Sequence, residues 1–170
     1  MNIKAISKDE FYNKNVIYFN NILDGFNNYD YIQLSPKGTS YEEVEKSYLG
    51  FIEELFYLNN NKVIIDFYKN KLDENGIKFI ENRVSNEDKK LFNSLINCGN
   101  KDSIFFEIRD DSYINLLTML NLKEIFFISF YFDKIKSTLW GNYNYAFPLF
   151  YDNKESEEKY KKIAEQHGLL

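Results

Sequence analysis

The sequence predicts a single α/β or α+β domain, a mixed sheet of about five strands with helices packed on it. Three observations carry this reading. Ser7 to Glu10 and Ser40 to Glu43 have the spacing of capping boxes, and apolar residues follow each at helical intervals. Several short runs of β-branched and aromatic residues are bounded by Asn, Asp, Gly or Pro, as strands are. The order strand, helix, strand over residues 103–132 fits a crossover unit, which is right-handed when its two strands are parallel. No Pro/Ser-rich linker, repeat or break in composition divides residues 1–170.

The elements follow in order. Ser7-Lys8-Asp9-Glu10 opens a helix whose apolar face is Phe11, Tyr12, Val16, Phe19, Leu23 and Phe26, with Gly25 as its stop. A strand at Val16 to Phe19 is the alternative. Tyr29 to Leu34 is a short strand halted by Ser35-Pro36. Val44, Tyr48, Phe51, Ile52, Leu55 and Leu58 recur at helical spacing after Ser40, with Glu42 and Glu43 at the positive end of the helix dipole. Asn59 to Asn61 ends that helix. Lys62 to Lys69 alternates as a strand, with Val63, Ile65 and Phe67 inward. Asn75-Gly76 reads as a turn, making Ile77 to Ile80 a hairpin partner.

Ser85 opens a third helix on Leu91, Phe92, Leu95 and Ile96, with Gly99 as its C′ residue. Ser103 to Arg109 is a strand with Ile104, Phe106 and Ile108 on one side. Asp110-Asp111-Ser112 caps a short helix on Ile114, Leu117 and Leu120. Glu124 to Phe132 is the most buried strand. Ser137 to Tyr145 reads as a polar loop carrying Trp140, and Ala146 to Tyr151 as a last strand, set at an edge by Pro148. Ser156 to His167 is a polar terminal helix with only Tyr160, Ile163 and Ala164 to dock.

Composition narrows the chemistry. The 170 residues carry a net charge of -5, and aromatics make up 18% of them. Arg occurs only at Arg83 and Arg109, so the basic, Arg-bearing footprint of a nucleic-acid site is missing. Cys98 is alone, which rules out an intramolecular disulfide. The first ten residues lack the apolar core of a signal peptide, and Ile125 to Phe132 is too short to span a bilayer as a helix. A cytoplasmic location, and no membrane partner, is the expectation.

The single His167 and single Cys98 exclude Cys/His zinc clusters, and His167 reads as a helix C-terminal residue favoured by the dipole. The seven glycines are isolated singles, so no phosphate-binding Gly-rich loop occurs. Carboxylates remain. Asp110 and Asp111 follow a strand, and Asp66 and Glu107 lie on predicted strands where they would join them around a hard cation. Glu107-Ile108-Arg109 resembles the strand E-x-K of metal-dependent nucleases, with Arg in the Lys position. The simpler reading of the same residues is an N-cap and a polar strand face.

Trp140, Tyr143 and Tyr145 are the candidate partner-binding residues. Aromatics of this kind dominate protein–protein hot spots, and a Gly/Asn loop beside an edge strand would present them. The other reading folds Trp140 back over the core. The function expected is a small acidic protein-binding protein without catalytic activity or cofactor, such as an immunity protein or antitoxin against a basic toxin. The alternatives are a carboxylate-metal phosphodiesterase or nuclease, and a structural or regulatory subunit of an assembly.

Overall fold

The structure, a computed structural model, describes residues 2–170. Its centre is one open sheet of seven strands: β1 (Ile3–Ile6), β2 (Asp30–Gln33), β3 (Val63–Asp66), β4 (Phe105–Ile108), β5 (Ser129–Phe132), β6 (Ser137–Trp140) and β7 (Pro148–Tyr151). Their order across the sheet is β1-β4-β3-β5-β6-β7-β2, and every pairing is antiparallel. The single α+β domain is thus built on a larger sheet than expected, and on an antiparallel one in place of a mixed one. The two added strands are β1, where Lys4 and Ala5 separate the two isoleucines, and β6, which opens on Ser137-Thr138; neither presents a run of β-branched and aromatic residues.

The expected crossover from β4 through a helix to β5 exists. β4 and β5 both run antiparallel to β3 and hence parallel to one another, but β3 lies between them. Pro148 does not mark an edge. It lies on β7, between β6 and β2. The ladder alternation explains why a proline is tolerated there. Leu34 donates its N–H to Phe147 O, so Ile32 and Asp30 form the other hydrogen-bonded pairs, and Pro148 opposite Gln33 falls at a non-hydrogen-bonded position. On its other side the ladder with β6 stops at Leu149, one residue before an N–H would be required.

Four helices cover the front of the sheet. They are α3 (Tyr41–Leu58), α5 (Asn86–Asn97), α6 (Ser112–Leu122) and α7 (Lys154–Gln166), packed side by side in the order α5, α6, α3, α7. Ser40 and Glu43 close the capping box that starts α3, whose Val44, Tyr48, Phe51, Ile52, Leu55 and Phe56 are buried. α6 is the central helix and is buried on nearly every side from Tyr113 to Leu122. Ile65, Phe106, Phe130, Phe132, Leu139 and Leu149 meet these helices from the sheet. Gly99, at φ +71°, terminates α5 as the C′ glycine the sequence predicts. α7 docks through Tyr160, Ile163 and Ala164, as expected, and Leu169 behind it is fully buried.

The N-terminal segment covers the back of the sheet. It is not one long helix. α1 (Lys8–Tyr12) and α2 (Ile22–Asn28) flank an extended stretch in which Val16 and Tyr18 pack in one cluster while Ile17 and Phe19 pack in another. That alternation is strand-like, so the strand alternative is the nearer one. The stretch lies across the sheet and outside its ladders, with Thr138 Oγ1 donating to Ile17 O at 2.6 Å. Asn13-Lys14-Asn15 ends α1 because its polar side chains gain nothing from the apolar back face, whereas Val16 to Phe19 do.

The predicted hairpin at Asn75-Gly76 is a helix, α4 (Glu74–Glu81). Asp73 is its N-cap and accepts the Gly76 N–H at 2.7 Å. Ile77 and Ile80 then turn inward at helical spacing.

Candidate protein-docking surface

At the β2 end of the back face the sequence leaves apolar side chains uncovered. Asn21 caps α2 by accepting the Asp24 N–H at 3.1 Å. The helix is only seven residues long, and Ile22 and Gly25 occupy the side against Phe19. Leu23 and Phe26, three residues apart, therefore lie off the Phe19 contact and are 67% and 36% exposed. On β2, Ile32 points into the helix-side core and Tyr31 into the back face, 45% exposed. The Phe26 and Tyr31 rings meet edge to face at 4.8 Å, and both approach Phe150, at 5.5 and 5.8 Å. Phe19 supports the surface from below, with its ring 4.8 Å from Phe150 and stacked 5.1 Å from Trp140.

Two further properties belong to this corner. β2 is an edge strand, paired only with β7. With Asp30, Ile32 and Leu34 bonded inward, the N–H and C=O groups of Tyr31 and Gln33 point off the sheet. The charge carried by the α2–β2 segment itself is one-sided as well. No Lys or Arg occurs between Lys14 and Lys37, a stretch that includes Asp24 and Asp30.

The structure separates the three predicted interface residues. Trp140 is half-buried on β6 in the back-face cluster with Phe19 and Phe150. Tyr145 packs against the helix-side core, and its carbonyl accepts the Tyr48 hydroxyl at 2.5 Å. Tyr143 alone is freely exposed, at 59%, with its ring against Phe127. Trp140 thus lies beneath the surface formed by Leu23, Phe26 and Tyr31, while Tyr143 and Tyr145 lie off it.

The carboxylates are dispersed too. Asp66 ends β3 opposite Phe105, whereas Asp110 and Asp111 lie beyond the far end of β4, roughly 15 Å away along the strands. Asp66 is buried on the back face, where Oδ1 accepts the Ser129 N–H at 2.7 Å and Oδ2 the Tyr131 hydroxyl at 3.0 Å. Burial pushes its carboxyl up to about 6, against the opposing pull of those hydrogen bonds. Burial, aided by the Asp66 charge, likewise raises the Tyr131 phenol well above its ordinary value.

Glu107 is paired with Arg109 and Lys14. Asp110 accepts the Ser112 hydroxyl and N–H at 2.6 and 3.1 Å, which lowers its pKa; the N-cap of α6 is Asp111, whose side chain makes no capping bond. Asp111 accepts the Tyr57 hydroxyl. Among the described residues no three His, Cys, Asp or Glu side chains gather as metal ligands. His167 ends α7 and meets Glu54 of α3 at 2.8 Å.

Leu23, Phe26 and Tyr31 were not singled out by sequence reasoning, which placed Leu23 and Phe26 on the inner face of one long helix. The extended stretch between α1 and α2 resets the helical phase and turns them outward. The signal in the chain was the coincidence of five aromatics, Tyr18, Phe19, Phe26, Tyr29 and Tyr31, with a run free of cations. No protein-family model, curated protein or solved structure matches the chain. No helix of the described residues is long and apolar enough to cross a membrane.

Proposed function

We propose that this chain is a protein-binding protein without catalytic activity that docks a basic partner on the α2–β2 surface, as an immunity protein or antitoxin docks a toxin. The observation that carries the reading is the exposed Leu23, Phe26 and Tyr31 group beside an open sheet edge, on a chain segment that holds Asp24 and Asp30 and no Lys or Arg. Aromatic anchors supply affinity by burying large, stiff side chains. The uncompensated acids steer a cationic partner and reject an anionic one. The free edge of β2 offers main-chain hydrogen bonds to an added strand. The net charge of -5 acts in the same direction over longer range.

The test is binding of a co-purifying basic protein to the wild type, Phe26→Ser and Tyr31→Ser, with Phe79→Ser as an exposed control on α4. The reading predicts at least tenfold weaker binding for Phe26→Ser and Tyr31→Ser, wild-type binding for the control, and association that slows as salt rises. Equal binding by all four, or a partner whose association ignores salt, would sink it. Relief of the partner's toxicity on co-expression separates an immunity protein from a regulatory subunit using the same surface.

A further inference from the structure

The chain buries a lysine with no acidic counterpart. Lys69 follows β3 in a short 3₁₀ turn and is only 7% exposed. Its ammonium donates to Ile96 O at 2.8 Å and to Cys98 O at 2.6 Å, the orphan carbonyls at the end of α5. It also lies 5.4 Å from the centre of the Phe106 ring. An ammonium has three N–H donors, so one has no protein acceptor. None of the ion pairs among the described residues includes Lys69. Two carbonyl dipoles at a helix C-terminus offset about half a charge, which leaves the remainder uncompensated. Burial pushes the ammonium below the usual lysine range, as expected where no carboxylate holds the proton.

The same side chain lines a cleft of about 400 Å³ between α4 and the turn after α5. Leu72, Ile77 and Ile96 form its apolar walls, Asn70 adds one amide, and the exposed Lys101 and Asp102 complete the lining. Two lysines and one aspartate leave a single positive charge. We propose that this cleft binds a small monoanionic carboxylate with a branched aliphatic body. The carboxylate takes the third N–H of Lys69, and the aliphatic part lies on Leu72, Ile77 and Ile96. A phosphate dianion fits less well, because Leu72, Ile77 and Ile96 leave several of its oxygens without donors and Asp102 repels its second charge.

The test is titration of the full chain with 4-methylpentanoate, followed by amide chemical shifts, with 4-methylpentylamine and inorganic phosphate as comparisons. The expected result is saturable shifts at Leu72, Ile77 and Ile96 for the carboxylate only. Lys69→Met should weaken binding at least tenfold. Should that variant fail to fold, Ile77→Trp, which fills the cleft and leaves the ammonium in place, must abolish the shifts. Shifts that never saturate, equal response to the amine or to phosphate, or saturable binding that survives Ile77→Trp would overturn the proposal.

Discussion

Replacing Asp66 by Asn should stabilise the protein at neutral pH and remove a specific pH dependence. Asp66 is 5% exposed, and its carboxyl is raised from 3.8 to about 6 in the folded state, chiefly by burial. A raised acid is the less usual case, and its sign differs from that of a salt-bridged one. Between pH 4 and 6 the folded chain keeps a proton that the unfolded chain has released, so this group makes stability fall as pH rises through that window and adds no slope above it. A rise of about two pH units corresponds to about 3 kcal/mol. Asn can still accept the Ser129 N–H and can donate to the Tyr131 oxygen, but its second N–H goes unpaired, at a cost of about 1 kcal/mol. The net gain at pH 7 is therefore about 2 kcal/mol, turning to a loss of about 1 kcal/mol below pH 4.

The assay is urea unfolding followed by Trp140 fluorescence, from pH 4 to 7.5, with the variant curve subtracted from the wild type. Subtraction cancels the exposed acids, such as Glu43 and Asp110, whose lowered pKa values give slopes of the opposite sign. A difference that stays flat across this range would refute the assignment of a buried, charge-penalised carboxylate at the back of the sheet.

Three further outcomes follow from packing. Gly141→Ala places a Cβ 2.0 Å from Asn121 Oδ1, so the paired hydrogen bonds between Asn121 and the Ile128 backbone must break; chemical denaturation should show a loss of about 3 kcal/mol or more. Thr118 Oγ1 is the one buried side-chain polar atom without a partner among the described residues, so Thr118→Val should raise stability by about 1 kcal/mol in the same assay. Trp140→Ala removes a half-buried ring stacked on Phe19 and should cost about 2 kcal/mol of stability, with acrylamide quenching of the wild-type Trp falling between buried and free values.

What the sequence disclosed depended on length for the helices and on unbroken apolar runs for the strands. α3 spans eighteen residues, enough for its period to declare itself from Val44 to Leu55, and its capping box is closed in the structure as Ser40 and Glu43 predict. All seven strands are four residues long, so length did not hide β1 and β6; Lys4 and Ala5 interrupt β1 and Ser137-Thr138 open β6, so neither forms the run of β-branched and aromatic residues that marks β3, β4 and β5. The Asp-Glu-Asn-Gly run at 73–76 shows a second ambiguity. The same residues serve a hairpin turn or a helix N-terminus, and the inward spacing of Ile77 and Ile80 decides for the helix only once the front face exists to receive them. Pro148 misled because the rule that sends proline to edges concerns hydrogen-bond demand, and an interior strand has positions where that demand is nil. The candidate surface was the least legible part. Its residues are apolar and periodic like core, and only the N-terminal segment's path across the sheet leaves Leu23, Phe26 and Tyr31 in solvent.

The most direct test of a docking role for the α2–β2 surface is site-specific photo-crosslinking in cells, with benzoyl-phenylalanine at position 26 or 31 and at the exposed control positions 57 and 79. The account predicts that positions 26 and 31 both crosslink one basic protein and that 57 and 79 do not. Crosslinks confined to the controls, or equal at all four positions, would contradict it.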